Sequence, residues 1–215
     1  MCGFVGFTGD VENKEQVLTN MIDRIVHRGP DMGATFFAPG VALGFRRLSI
    51  LDLTPAGSQP MSNEDGSVVI VFNGEIYNFM ELRGELEAKG YTFHCGADTE
   101  SLLHGYEEWG EEIVDKLRGM YAFVIWDKKK NRLFGARDIF GIKPFYYSEA
   151  EDGSGLMFGS EIKSFLAHPK FHKAVNHNAL RPYLTLQFSA TDETFFEGVY
   201  KLPAAHCFTY DLATH

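Results

Sequence analysis

Apolar positions along the chain repeat with two different periods. Val17, Leu18, Met21, Ile22 and Ile25 recur at helical spacing, which predicts a helix from about Asn13 to His27, stopped by Gly29-Pro30. The pattern then turns to strands, at about Ala34 to Ala38 and Val41 to Arg46 around the Pro39-Gly40 turn. Leu53 to Gly66, rich in proline, glycine, serine and acids, reads as a surface loop. Val68-Val69-Ile70-Val71-Phe72 is an unbroken apolar strand of the kind buried on both faces. Asn78 with Glu81 forms a capping pattern for a helix carrying Leu82 and Leu86 and ending at Gly90. Asp98 or Thr99 opens another, with Leu102, Leu103, Tyr106 and Trp109 on one face. Tyr121 to Trp126 pairs with Arg132 to Ala136 around a basic hairpin tip, and Phe145-Tyr146-Tyr147 pairs with Leu156 to Phe158. Ser160 caps a helix reaching Ala167, and a short helix covers Asn178 to Leu184 before a polar tail.

This is an α+β pattern without internal repeats or a second core, so residues 1–215 are expected to form one domain. With 45% apolar and 14% aromatic residues the core is large, which excludes a disordered chain. A formal charge of −9 opposes binding to phosphate backbones and anionic lipid, so neither nucleic acid nor membrane is an expected partner. Cys2, Cys95 and Cys207 are odd in number and widely spaced, which fits neither a disulfide framework nor a zinc site. His168, His172, His177 and His206 have no metal-ligand spacing and read as surface or loop residues. No apolar run is long enough for a membrane helix and no signal segment opens the chain, so a reducing, cytoplasmic setting is expected.

Candidate chemistry begins at Cys2. Removal of Met1 would leave a thiol nucleophile and an α-amine on one residue, and an amine of pKa about 8 can take the thiol proton directly or through water. A retained Met1 would acylate that amine. By position alone Cys2 also fits a small apolar residue near a terminus. His27-Arg28-Gly29-Pro30-Asp31 reads by itself as a helix-capping polar turn. Of Arg46 and Arg47 only one can face a given cleft, because neighbouring side chains on a strand point to opposite faces. Asn73-Gly74 after the apolar strand is in isolation a hairpin turn signal. Cys95, three residues before Asp98, reads as a buried small apolar residue.

Taken in order, Met1-Cys2-Gly3, His27-Arg28-Gly29-Pro30-Asp31, Arg47-Leu48-Ser49-Ile50, Asn73-Gly74-Glu75-Ile76-Tyr77-Asn78, Asp98 and Ala136-Arg137-Asp138 resemble the class II glutamine amidotransferases. The wording is most similar to the glutaminase domain of the glutamine-hydrolysing asparagine synthetases, and the resemblance runs through Ser160-Glu161-Ile162-Lys163 to Lys201-Leu202-Pro203. It implies an N-terminal nucleophile hydrolase fold, a four-layer αββα sandwich of two antiparallel sheets. It also implies roles. Cys2 would attack the side-chain amide carbon of glutamine; Asn73, through its side-chain amide, and Gly74, through its backbone N–H, would form the oxyanion hole. Arg47 would hold the substrate α-carboxylate, Glu75 and Asp98 its α-ammonium, and Ile50 would complete the substrate contacts. Glutamine is the implied substrate, with no cofactor or metal for the glutaminase reaction. ATP and magnesium belong to a synthetase domain, acting in cis or in trans, whose glycine- and serine-rich pyrophosphatase loop is not in this sequence. The chain therefore reads as the glutaminase half alone, with a homodimer possible. Ala204-Ala205 departs from the family's usual proline-glycine pair.

Three rival readings follow from the same residues: the glutaminase domain of a transferase making amino sugars, purine precursors or glutamate; a docking module that kept the fold; and an N-terminal hydrolase of other amides. The Arg-Leu-Ser-Ile and Asn-Gly-Glu-Ile-Tyr-Asn wording favours the asparagine synthetase group over the first. A docking module has no physical need for Cys2, Arg47, Asn73, Gly74 and Asp98 together, and a cation with two anions suits a free amino acid rather than a bulky amide.

Overall fold

A computed structural model describes residues 1–49, 54–150, 152–189 and 191–214. In chain order these form β1 (Gly3–Thr8), α1 (Lys14–Asp23), β2 (Met32–Ala38), β3 (Val41–Arg47), β4 (Met61–Ser62), β5 (Val68–Ile76), α2 (Phe79–Ala88), α3 (Asp98–Trp109), α4 (Ile113–Lys116), β6 (Gly119–Asp127), β7 (Arg132–Arg137), β8 (Tyr146–Glu149), β9 (Leu156–Gly159), α5 (His177–Leu186), β10 (Tyr200–Lys201) and β11 (Cys207–Asp211). Two antiparallel sheets result. One runs β10-β8-β9-β1-β3-β2, the other β11-β7-β6-β5-β4.

Strand alternation explains the layering. Val69 and Val71 of β5 point between the sheets, where Phe4, Leu43, Phe45, Val124, Phe145 and Phe158 meet them. Ile70 and Phe72, one residue out of phase, face α3 through Leu102, Leu103 and Tyr106. Val5 and Phe7 of β1 face α1 through Leu18, Met21 and Ile22. Each sheet is thus apolar on both faces, giving helix, sheet, sheet and helix layers: the αββα sandwich that the resemblance implied. Burying such uninterrupted runs stabilises the fold by roughly 1.5–3 kcal/mol per large side chain.

Several local expectations are corrected. Asn73-Gly74 is not a turn: β5 continues through it to Ile76, paired residue for residue with β6. The predicted first helix stops at Asp23, and Val26–Arg28 form a separate 3-10 turn. Asn78 stands at the start of α2 but bonds away from it, accepting from Arg118 N at 2.9 Å and donating to Lys116 O at 2.9 Å. Ser160 caps no α-helix; Ile162–Ala167 is a 3-10 segment, and Ser160 Oγ accepts the Phe4 N–H at 3.1 Å. The Leu53–Gly66 stretch, from residue 54 onward, contains β4 and the buried Gln59 and Asn63. His168 is buried against Phe7. Within the polar tail, Cys207–Asp211 forms an edge strand on β7. Ala205, where the resemblance would place glycine, has φ +60°, a left-handed conformation that costs a residue with Cβ about 1–2 kcal/mol.

Candidate active site

Parity collects the site at one end of the space between the sheets. Cys2 lies immediately before β1, on the side of Phe4; Arg47 ends β3 in phase with Leu43 and Phe45; Asn73 and Glu75 continue β5 in phase with Val69 and Val71. All four line one cavity of about 140 Å³, together with Met1, Leu48, Gly57, Gln59, Gly74, Ala97, Asp98, Thr99 and Lys143. Arg46, out of phase, instead bonds Ile22 O and pairs with Asp23 on the α1 side, so Arg47 is the arginine that faces the cleft. Ile50 lies outside the described residues.

Cys2 Sγ rests against the Leu48 backbone, 3.4 Å from both its carbonyl oxygen and its N–H. Its own carbonyl accepts from Arg28 Nε at 2.9 Å, and Arg28 in turn pairs with Glu161 at 3.0 Å. Burial opposes the Glu161 charge, yet hydrogen bonds from His27, Arg28 and Lys163 hold its carboxyl below the usual range. Arg28 thus anchors the strand that carries Cys2 rather than capping a helix. A Cβ on Gly3 would lie 2.8 Å from Arg28 Cδ, which accounts for glycine beside the cysteine.

Two neutral donors face this cleft. Asn73 Nδ2 is buried and has no hydrogen-bond partner among the described residues. The second donor is the Gly74 N–H. Phe72 N–H donates to Gln59 Oε1 at 2.6 Å and Ile76 N–H to Asp98 Oδ2 at 2.8 Å, both away from β6. Gly74 stands between them and shares their direction. Its cross-strand partner Tyr121 directs its own N–H and C=O to Asp138, so it does not take the Gly74 amide. A side chain at Gly74 would meet Met120 O at 2.4 Å, so only glycine lets β5 and β6 close here.

A family model described as "Glutamine amidotransferase domain" matches residues 1–215. The chain belongs to this family. Among curated proteins it is 45% identical over 214 residues to glutamine-hydrolyzing asparagine synthetase 1 of Bacillus subtilis, covering 97% of this chain and 33% of that one. The chain spans about a third of the length of such relatives. Among solved structures, the glutamine phosphoribosylpyrophosphate amidotransferase of B. subtilis aligns over 77% of this chain and 43% of its own, with TM-score 0.65 and 23% identity. A glutamine aminotransferase class-II domain protein of Silicibacter pomeroyi aligns over 99% of this chain and 95% of its own, with TM-score 0.55 and 13% identity. At those identities the likeness concerns the fold, an N-terminal nucleophile hydrolase sandwich.

The electrostatics of this amidotransferase domain centre on Asp98. Burial raises its carboxyl to about 6, assisted by the nearby Glu75 charge and opposed by the Ile76 N–H. Asp98 opens α3, but its side chain serves β5 instead of capping the helix. Arg47 is buried, donating to Thr54 O at 2.9 Å. Lys143 was not anticipated from the sequence. Only 3% exposed, with Nζ 2.9 Å from Met1 Sδ, it is a cation whose pKa burial lowers. The motif that presents it was legible: Asp138, fully buried, accepts the N–H groups of Tyr121, Phe140, Ile142 and Lys143, and Arg137 donates to the carbonyls of Gly141, Lys143 and Leu202. Ala136-Arg137-Asp138 therefore shapes the loop that brings Lys143 to the cleft. Gln59, also missed, links Phe72 N–H to Thr99 Oγ1 at the cavity wall. Among the described residues, no helix is long and apolar enough to cross a membrane.

Proposed function

We propose that this domain hydrolyses glutamine to glutamate and ammonia through a Cys2 thioester, and that the ammonia serves ATP-dependent asparagine synthesis from aspartate by a synthetase domain outside this chain. The observation that carries the first part is the buried Asn73 Nδ2, without a hydrogen-bond partner among the described residues, beside the outward Gly74 N–H in a cavity that Cys2 also lines. An orphaned buried donor is expensive unless the reaction supplies its acceptor. With Met1 removed, the Cys2 amine takes the thiol proton as Sγ bonds to the amide carbon, and the two donors stabilise the tetrahedral oxyanion. Collapse breaks the C–N bond, the ammonium form of the amine returns the proton, and ammonia leaves. Water then attacks the thioester carbon, releasing glutamate and regenerating the thiol.

Arg47 pairs with the α-carboxylate, while Glu75 and Asp98 accept from the α-ammonium, so a free zwitterion is preferred over an internal glutamine. No cofactor is needed for these steps. The relatives' names as glutamine-hydrolyzing asparagine synthetases support the choice of acceptor reaction.

The test is glutamate release from glutamine alone, without ATP or aspartate, by the parent chain and Cys2→Ala. Release by the parent and none by the variant is expected. With intact mass confirming Met1 removal, equal release from both would refute the assignment.

A further inference from the structure

On the far side of α3 from the cleft, His104 is 2% exposed and its ring is gripped between Tyr91 and Phe93, with centroids at 5.2 and 5.0 Å. Nδ1 is 2.8 Å from Glu107 Oε2, and Asn63 Nδ2 fixes the other oxygen of Glu107 at 2.6 Å. This leaves Nε2, which is buried and has no hydrogen-bond partner among the described residues. It faces two carboxylates, Glu64 Oε1 at 3.8 Å and Glu100 Oε1 at 3.9 Å. Glu64, His104 and Glu107 each bring one ligand atom within 4.8 Å of the others.

The chemistry of that arrangement is specific. Nδ1 donates to Glu107, which can only accept; burial opposes a charge on the ring, but Glu107, Glu64 and Glu100 raise its pKa, so a metal at Nε2 would take the place of a proton among these anionic oxygens. A proton on Nε2 would balance charge but would not make a hydrogen bond across 3.8 Å. A metal ion would reach both: bonds of about 2.0–2.2 Å to an imidazole nitrogen and a carboxylate oxygen bridge 3.8 Å at an angle of about 130° at the metal. A carboxylate on the other ring nitrogen is the arrangement that orients metal-binding histidines. Glu64 has a half-exposed side chain, giving the ion an entry path, and His94 Nε2 lies 4.0 Å from the same Glu64 oxygen.

We propose that His104 Nε2 and Glu64 bind a divalent transition-metal ion of the zinc type, with Glu107 orienting the imidazole. Mixed nitrogen and oxygen ligands suit zinc better than the all-oxygen preference of calcium or magnesium. Glu64 sits in the turn between β4 and β5 and His104 on α3, so the ion clamps that turn to the helix, away from the cleft.

The probe is Zn2+ titrated into the chelator-treated 215-residue chain, with Cys2→Ser and Cys207→Ser as background so that neither the cleft thiol nor the exposed one competes, and with Co2+ absorption read in parallel. One zinc per chain is expected, with a Co2+ spectrum lacking thiolate charge transfer. Glu64→Gln should weaken binding at least about tenfold, and Glu107→Gln by about 10–100-fold. Both change partly exposed groups, and urea midpoints without metal verify that each folds. Stoichiometric binding untouched by Glu64→Gln, binding carried by a thiolate, or no binding at micromolar zinc would each overturn the site.

Discussion

Replacing Asn73 with alanine separates catalysis from stability. In the free domain the Asn73 amide nitrogen is buried without a hydrogen-bond partner among the described residues, a state that costs about 1–3 kcal/mol. Deleting it relieves that cost while losing the packing of a few atoms, so the folded state should change by no more than about 1 kcal/mol. The transition state loses a donor to the oxyanion. Removal of one such donor lowers kcat by about 10²–10³, or about 2.7–4 kcal/mol. The Gly74 amide remains, so activity should stay above that of Cys2→Ala. The assay is glutamate release over a range of glutamine concentrations, with kcat and KM separated, and a urea midpoint on the same preparations. A kcat within about threefold of the parent would refute the oxyanion assignment, and so would a fall in kcat that merely tracks a fall in the urea midpoint.

Arg47→Lys keeps the charge but loses the planar fork, and should raise KM for glutamine about 10–100-fold, the worth of one charge-assisted hydrogen bond, with a smaller change in kcat; unchanged KM would place the α-carboxylate elsewhere. Asp98 titrates at about 6 in the fold against 3.8 in the reference state, so its anion, which the substrate ammonium needs, disappears as pH falls through 6; KM should rise below that pH in the parent and stay flat in Asp98→Asn. The same upward shift means that Asp98 favours the folded state below pH 3.8 and loses that contribution as pH rises through 6. His168 runs the other way. Burial, then the Lys170 charge, lowers it from 6.5 to about 4, so the unfolded chain binds its proton first and stability is lost as pH falls from 6.5 toward 4, by roughly 3 kcal/mol in all; urea midpoints across that range should flatten in His168→Gln.

Much of this protein was legible in the chain itself. A strand reads its environment through alternation, so Val68–Phe72 announced burial on both faces, Val17 to Ile25 announced a one-sided helix, and the pair Arg46 and Arg47 announced that one arginine alone would reach a cleft. The ordered motifs carried the family and named Cys2, Arg47, Asn73, Gly74 and Asp98, which the fold brings to one cavity. What the sequence could not determine was everything set by a partner distant along the chain. Asn73-Gly74 has the local preference of a turn, but nine residues of pairing with β6 outweigh that preference and keep it extended. Asn78, Asp98 and Ser160 carry capping chemistry, yet Arg118, Ile76 and Phe4 claim their side chains first. Arg28 reads locally as part of a polar turn, and nothing local marks Lys143 or His104; only packing decides that Arg28 holds the Cys2 strand, that Lys143 lines the cleft and that His104 is buried with a ring nitrogen lacking a hydrogen-bond partner among the described residues. Local pattern records which face of an element is apolar. Which polar groups meet on those faces depends on contacts across the fold, and these exist only once the layers have closed.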